Sequence, residues 1–531
     1  MSARLLRPPA GSAWEPLGDP IFRLLWIAAL VTNVGTWMQN VGAVAEMAAL
    51  APSPALIALV QTATSLPVFV LGLAAGALAD VVDRRLLLIG AQLWMVLAAA
   101  GLAALTFGHL LDPALLLAVT FALGAGIAIT TPTWNAVIKD LVPASQLTGA
   151  ITLNGLAINL ARAVGPVAAG VVVSLAGPAA VFAINALTFV FVIIVVLRWQ
   201  PGPASLVRSP ESLAGAVLAG LRYTAHAPAM IALLVRAGCF VLPASALWAL
   251  LPLVARRSLG SAGLGYGLLL GCLGGGAVIG AAVLPAVRER LEANTLSAAA
   301  AALYALATAT VALITARGVV MVAVVIAGMA WITLASTFNS IVQTVVPDWV
   351  RARSLSNYLI VYQGGMALGS AAFGALAVRL GIAGALVIGA GAVLAGTATA
   401  LRFRLAGVPA DQLATGDDVS HEEPSAQHAG AQVLVVREYR VPPSGTKEFI
   451  ATAAALGRVR RRNGARRWRL YRDASDGSRF VEAFVVGTWR EHLRQHQRTT
   501  VADRAIWERA NGFDVEGSPA SRHFTLAAGG G

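Results

Sequence analysis

Hydrophobic positions in this chain come in long blocks with little polar interruption. Crossing a hydrocarbon core of roughly 30 Å takes about 20 apolar residues. Twelve blocks reach that length: 23–47, 55–79, 86–107, 113–136, 149–174, 179–199, 227–252, 262–286, 294–315, 318–342, 354–378 and 382–402. Residues 1–20 are a polar, Pro-rich tail, and a Pro/Ser-rich stretch at 201–224 divides the blocks into halves at 21–200 and 225–405. The period then changes. Residues 406–430, with Asp417-Asp418 and Glu422-Glu423, read as a flexible polar linker. From 431 the pattern is that of a soluble module. Gln432 to Val441 alternates like a strand, 444–463 reads as a helix, 466–473 and 479–489 as strands, 490–512 as a helix and 521–527 as a last strand. That β-α-β-β-α-β order over about 100 residues is the split-βαβ, ferredoxin-like plan.

Composition turns the blocks into membrane spans. The chain is 57% hydrophobic and 12% charged, with mean hydropathy +0.73, whereas soluble domains are about 25% charged. The net charge of +13 has two sources. Fifteen Lys/Arg, among them Arg84, Arg85, Arg198, Arg288 and Arg402, fall in tails and loops on one side, against Arg256, Arg257, Arg317 and Arg379 on the other. That asymmetry places both termini and the middle linker in the cytoplasm. The module at 431–531 adds 18 Arg/Lys against 10 Asp/Glu. A nucleic-acid partner is therefore not required. Cys239 and Cys272 lie in apolar segments, which argues against a disulfide framework or a cysteine metal site. No cleavable leader is evident, since the first apolar block is long enough to span and stay.

An internal repeat ties the halves together. At a constant offset of 204 residues, Gly72, Gly76 and Arg84 fall on Gly276, Gly280 and Arg288, and Gly165 and Gly170 on Gly369 and Gly374. Asn135 to Pro143 likewise falls on Asn339 to Pro347. Parallel repeats of this kind are related by an axis along the membrane normal, with the substrate site between them near the midplane.

The loop between the second and third spans carries Gly72, Gly76, Asp80, Asp83, Arg84 and Arg85. It resembles the major facilitator superfamily signature G-x-x-x-D-x-x-G-R-[KR]; Asp83 stands where the pattern has Gly. Two further stretches resemble the transmembrane secretion effector branch, which includes enterobactin-exporter-like and macrolide-efflux-like members. These are Val142 to Asn154 continuing through Asn159, Arg162, Gly165, Pro166 and Gly170, and Trp37-Met38-Gln39 with Glu46, Ser53 and Pro54. The resemblance implies an all-α membrane protein of twelve helices in two six-helix pseudo-repeats that exports small molecules in exchange for protons. The module at 431–531 would add a small cytoplasmic α+β domain, also similar to the dimeric α/β barrels related to antibiotic-biosynthesis monooxygenases.

Several residues are candidates for chemistry. Asp80 can accept from a helix N-terminus, so Asp80, Arg84, Arg85 and Gly76 are read as a cytoplasmic latch; for the arginines the equal alternative is a topological anchor. Gly72, Gly165, Pro166 and Gly170 read as close-packing and kink positions. Arg162, a mid-span cation, faces either a substrate or coupling path or a structural partner. Glu46 is a carboxylate within a span, able to gain and lose a proton if partly desolvated, or else an interfacial residue. Asn33, Gln39 and Asn159 either line a cavity or act as interhelical glue. His492 and His496 are spaced like metal ligands, but no third ligand presents itself in the sequence and EHLRQHQR reads as a solvated face. No catalytic residue, metal or cofactor is assigned. The expected partners are a small amphipathic organic molecule, protons and the bilayer of a bacterial inner membrane, with dimerisation through the module a further option. An importer of the same fold and a membrane-tethered enzyme are the alternatives.

Overall fold

The computed structural model describes residues 14–51, 53–200, 213–261, 263–405, 410–414, 430–517 and 521–526. Much of the expected tail and of both linkers lies outside these residues.

Eleven long elements build the apolar region: α1 (Pro20–Leu50), α2 (Pro54–Val81), α3 (Arg84–Phe107), α4 (Pro113–Leu141), α5 (Leu147–Arg198), α6 (Leu213–His226), α7 (Pro228–Leu259), α8 (Leu264–Arg288), α9 (Ala293–Leu313), α10 (Arg317–Thr344) and α11 (Asp348–Gly396). The short α12 (Thr399–Arg402) and α13 (Ala410–Leu413) follow. Among the described residues ten helices are long and apolar enough to cross a membrane. Two of them are broken inside. α5 turns at Gly177 (φ 78°) and α11 at Gly381 (φ 71°), the left-handed region that glycine enters without steric cost. The expected spans 149–174 and 179–199 fall on either side of Gly177, and 354–378 and 382–402 on either side of Gly381.

Contacts divide the chain into two compact units. The first comprises Met1–Pro210, Val235–Thr337 and Leu359–Arg402. Its helices start where the sequence supplies a cap. Asp19, Asp83 and Asp112 accept from the first free backbone N–H groups of α1, α3 and α4, at 2.8 to 2.9 Å, which satisfies donors no helix can satisfy itself. Asp83, the departure from the signature, is thus the α3 cap. Leu25, Leu88, Val137 and Val196 bury one apolar cluster among α1, α3, α4 and α5.

The second unit comprises Glu211–Leu234, Phe338–Tyr358 and Phe403–Gly531. Part of the expected linker is helical here: α6 buries Ala219, Tyr223 and Thr224 and exposes Leu218 and Leu221. The module has strands β1 (Val433–Arg440), β2 (Arg467–Arg472), β3 (Arg479–Val486) and β4 (Ser521–Thr525), and helices α14 (Thr446–Asn463), α15 (Trp489–Gln497) and α16 (Val501–Asn511). The sheet order is β2-β3-β1-β4, antiparallel throughout. One face carries Val433, Val435, Tyr439, Phe480 and Phe484, buried with Phe449 and Ala453 of α14. The expected single helix at 490–512 is two. Thr500 and Asp503 cap each other's backbone at 3.2 Å, and this capping box starts a new helix.

Candidate functional site

At the middle of the first unit a half-buried cation meets a cluster of aromatic rings. The Arg162 guanidinium, on α5, lies 5.5 Å from the centroid of the Trp37 ring on α1. Trp37 is 6.3 Å from Trp248 on α7, and Trp248 is 5.2 Å from Trp331 on α10. Trp331 also touches Phe240, Tyr304 and Tyr362, at 5.4 to 5.9 Å among neighbouring rings. Rings at these separations pack edge-on or offset, and a guanidinium over an indole face gains cation–π attraction. Two buried polar atoms here, Arg162 Nε and Trp248 Nε1, have no hydrogen-bond partner among the described residues, and neither does Gln39 Nε2 elsewhere on α1. Buried donors without partners are rare in folded proteins and call for an explanation.

The other candidates sort by their partners. Gln39 is buried and accepts from Asn185 at 3.2 Å, a bond between α1 and the second segment of α5. Asn33 and Asn159 donate to carbonyls of their own helices, Ala29 at 2.7 Å and Gly155 at 3.0 Å. Glu46 is half-buried near the end of α1, with His109 of the turn after α3 within electrostatic reach. Arg84 pairs with Asp140 at the end of α4. Arg85 donates to the Val196 and Leu197 carbonyls at 3.2 and 2.5 Å, where a helix C-terminus attracts a cation. Both arginines therefore brace helix ends within the N-terminal half. The Asp80 side chain lies outside the described residues. Arg236, buried on α7, donates to Ser297 at 2.9 Å and to Asn294. Arg257 caps α9 through the Val311 carbonyl at 2.8 Å, which gives that exception to the charge asymmetry a local use.

The repeat is visible in the packing. A methyl group placed on Gly170 would lie 3.2 Å from Leu264 of α8, and one on Gly374 would lie 2.5 Å from Ala58 of α2. On Gly165 it would meet Trp37 of α1 at 2.7 Å; on Gly369 it would meet the Leu242 carbonyl of α7 at 2.2 Å. Equivalent glycines thus make equivalent seams, α5 on α8 and α11 on α2. Thr62 adds a bond to the Ala367 carbonyl at 2.9 Å. Pro166 is buried in the α5 seam, where its carbonyl would be 2.4 Å from a methyl on Gly267. Both seams run from mid-helix toward the end away from Arg84, Arg85 and Arg288. At the arginine-rich end a methyl on Gly72 or Gly76 would meet nothing within 4 Å among the described residues, while one on Gly276 would strike the Val325 carbonyl at 2.0 Å. The close approach expected at Gly72 is made by its repeat mate.

Sequence reasoning missed Trp248 and Trp331. Tryptophan is enriched at membrane interfaces, so two indoles at mid-span were the available signal. It also misread EHLRQHQR. His492 is buried, its Nε2 3.0 Å from His523 Nε2 and 3.4 Å from His496 Nε2. Burial, then His496 and His523, pushes its pKa down to about 3, so it stays neutral. Among the described residues no group of three His, Cys, Asp or Glu is arranged to hold a metal ion.

The sequence profile of the transmembrane secretion effector family matches residues 11–528. An uncharacterized MFS-type transporter of Bacillus subtilis, YfiS, is 27% identical over 236 residues, which is 42% of this chain and 55% of that protein; the chain thus matches about half the length of that relative. Among solved structures, a bacterial homologue of the human lysosomal transporter Spinster, inward-facing and unoccupied, superposes with TM-score 0.57 at 15% identity, covering 72% of this chain and 95% of its own. A POT family transporter in complex with 5-aminolevulinic acid gives 0.62 at 12%, covering 72% and 95%. The human organic anion transporter TETRAN gives 0.54 at 14%, covering 74% and 100%. At these identities the likeness is one of fold.

Proposed function

Since the chain belongs to the transmembrane secretion effector family of major facilitator transporters, a multi-pass membrane protein with that fold, we propose that it exports a small amphipathic organic molecule by alternating access coupled to proton antiport. The observation that carries this reading is Arg162 beside Trp37, Trp248 and Trp331. α1 and α5 come from one half of the repeat and α7 and α10 from the other, so a molecule bound there touches both. Indole faces favour a flat apolar body. A guanidinium with an unpartnered buried Nε favours an acidic or carbonyl oxygen.

The arginine-rich end is placed in the cytoplasm by the charge asymmetry, and the two glycine-broken helices are each read as two spans, which makes twelve. With the α5–α8 and α2–α11 seams closed at the other end, this conformation is read as inward-facing. Asp80, Arg84, Arg85 and Gly76 belong to the latch that closes the cytoplasmic end in the opposite state. Arg84 and Arg85 supply its rigid base by tying α3 to the ends of α4 and α5. Glu46, beside His109, is the proposed proton carrier. The module is read as ferredoxin-like from its sheet order.

Everted membrane vesicles test direction and coupling together, using a panel of anionic, neutral and cationic fluorescent amphipaths. Acidifying the lumen should drive an anionic or carbonyl-bearing dye inward, and Arg162→Gln should slow this by about tenfold or more while the protein stays at wild-type abundance. Dye leaving acid-lumen vesicles would establish import. Unaltered transport by Arg162→Gln would remove Arg162 from the pathway.

A further inference from the structure

The second unit contains a cavity that the transport reading does not use. It lies within the C-terminal module, walled by β1, β3, β4 and α14 to α16, and encloses about 390 Å³. Small-molecule sites span about 300–1,000 Å³. Trp489, Trp507 and Phe484 give it aromatic walls. Arg437 lines it from β1, only 3% exposed, with its guanidinium 5.0 Å from the Trp507 centroid and 5.8 Å from that of Tyr439. Arg460 and Arg504 also line it, whereas Asp503 is its one lining carboxylate and is held by Arg462. Arg460 pairs with the buried Glu482 at 3.5 Å, so among the described residues guanidiniums outnumber carboxylates around the cavity, three on its lining against Asp503 and Glu482. A guanidinium laid on aromatic faces is planar, weakly hydrated and always charged, and it presents parallel donors that match a carboxylate. Flat rings stack on indoles. A flat ring bearing a carboxylate therefore fits both the walls and the charge.

The same walls hold two helices of the unit. The Arg462 guanidinium lies 5.2 Å from the Tyr223 ring of α6. Tyr223 meets Trp349, at the start of α11, edge-on at 5.6 Å and 87°. Arg498 lies 4.5 Å over Trp349 and 3.4 Å from the carbonyl of Asn463, itself a cavity residue. Arg222 of α6 donates to the Gly464 carbonyl at 3.2 Å and pairs with Glu491 at 3.7 Å. Any shift of Asp503 or Asn463 on binding must move the arginines that grip α6 and α11.

We propose that this cavity is a regulatory binding site for a planar aromatic carboxylate, and that its occupancy is passed to α6 and the start of α11 through Asp503–Arg462–Tyr223 and Arg498–Trp349. The proposal goes beyond the export reading and does not depend on it.

The test is calorimetric titration of the full chain in detergent micelles with 2-naphthoate, and with neutral 2-naphthamide as control. Saturable binding of the naphthoate is expected, about tenfold or more tighter than the amide. Arg437→Gln should weaken it by a similar factor. Trp507→Leu, at a half-buried and more tolerant position, should weaken it too if Arg437→Gln does not fold. No saturable binding, or equal binding of the amide, overturns the site. Hydrogen exchange in segments 213–226 and 348–358 then reads the coupling. 2-Naphthoate should slow exchange there in the wild type. In Tyr223→Leu, which lies outside the cavity and keeps the binding, the change across 213–226 should be lost, whereas that across 348–358, reached through Arg498, should persist. Unaltered exchange in the wild type, or an equal change across 213–226 in Tyr223→Leu, overturns the coupling. Neither measurement involves transport, so either can fail with the export reading intact.

Discussion

Glu46 and His492 are both buried enough for their surroundings to govern their protons, and they do different work. Glu46 is half-buried beside His109 at the end of α1, in a span where a permanent charge is costly. If it carries the coupling proton, Glu46→Gln should abolish uptake driven by a pH gradient in everted vesicles while exchange of labelled for unlabelled substrate continues. Wild-type gradient-driven uptake by this variant would exclude Glu46 from coupling. His492 concerns stability. Its folded pKa, about 3, lies below the ordinary 6.5, so the opened form takes a proton first as pH falls. The stabilisation is complete above about 6.5 and declines toward 3, at no more than about 1.4 kcal/mol per pH unit. Protection from hydrogen exchange across 489–497 in the full chain, after correction for the pH dependence of the intrinsic amide rate, should therefore fall from pH 6.5 to 4. The charged and titratable groups around the imidazole, His496, His523 and Arg460, oppose its protonation, whereas the hydrogen bond to Gln495 favours it. His492→Phe should flatten the profile; an unchanged slope would assign it to another group.

Helix-to-helix contact depends on where glycine meets backbone. Gly276 and Gly280 bring α8 against Val325 and Met329 of α10, whereas a methyl on Gly72 or Gly76 of α2 would meet no described residue within 4 Å. The residue types are identical and the repeat register is the same, yet among the described residues only Gly276 and Gly280 meet a close neighbour. Gly276→Ala should cost about 1–3 kcal/mol through overpacking, lowering the melting temperature of the purified protein. Gly72→Ala should leave it unaltered. Equal losses would mean that α2 packs more tightly than it does here. Within the module, Thr500 and Asp503 split the last helical stretch in two, and the break lets α15 and α16 wall the cavity from different sides.

Whole-molecule behaviour follows from the seams. α5 meets α8, and α11 meets α2, through glycines related by the repeat, and both contacts lie toward one end. In the proposed alternating-access cycle, a rocking motion would open those seams and close the arginine-rich end. Gly72 and Gly76 would then become the contact surface, which would account for methyl groups there meeting no described residue within 4 Å. Gly76→Leu is expected to fold and melt as the wild type does but to stall transport, because the bulky side chain blocks closure. Wild-type vesicle uptake by Gly76→Leu would show that α2 makes no close approach in the cycle.

Much of this was legible along the chain. Block length set where the apolar helices lie, because a hydrocarbon core admits only segments that satisfy their own backbone. Strand alternation located strands along the module, because a sheet buried on one face imposes a period of two. The constant offset from Gly165 and Gly170 to Gly369 and Gly374 anticipated paired seams, because equivalent small residues permit equivalent approaches. What each glycine touches was settled only in three dimensions. Gly76 and Gly280 look alike in sequence but differ in neighbours, since contact depends on which seams are closed. Trp37, Trp248 and Trp331 are separated by more than two hundred residues of sequence in total and by 5.2 to 6.3 Å between successive rings in space, so their gathering around Arg162 needed the folded chain. His523 joins His492 and His496 for the same reason: β4 returns beside β1, a long-range pairing that no local period encodes.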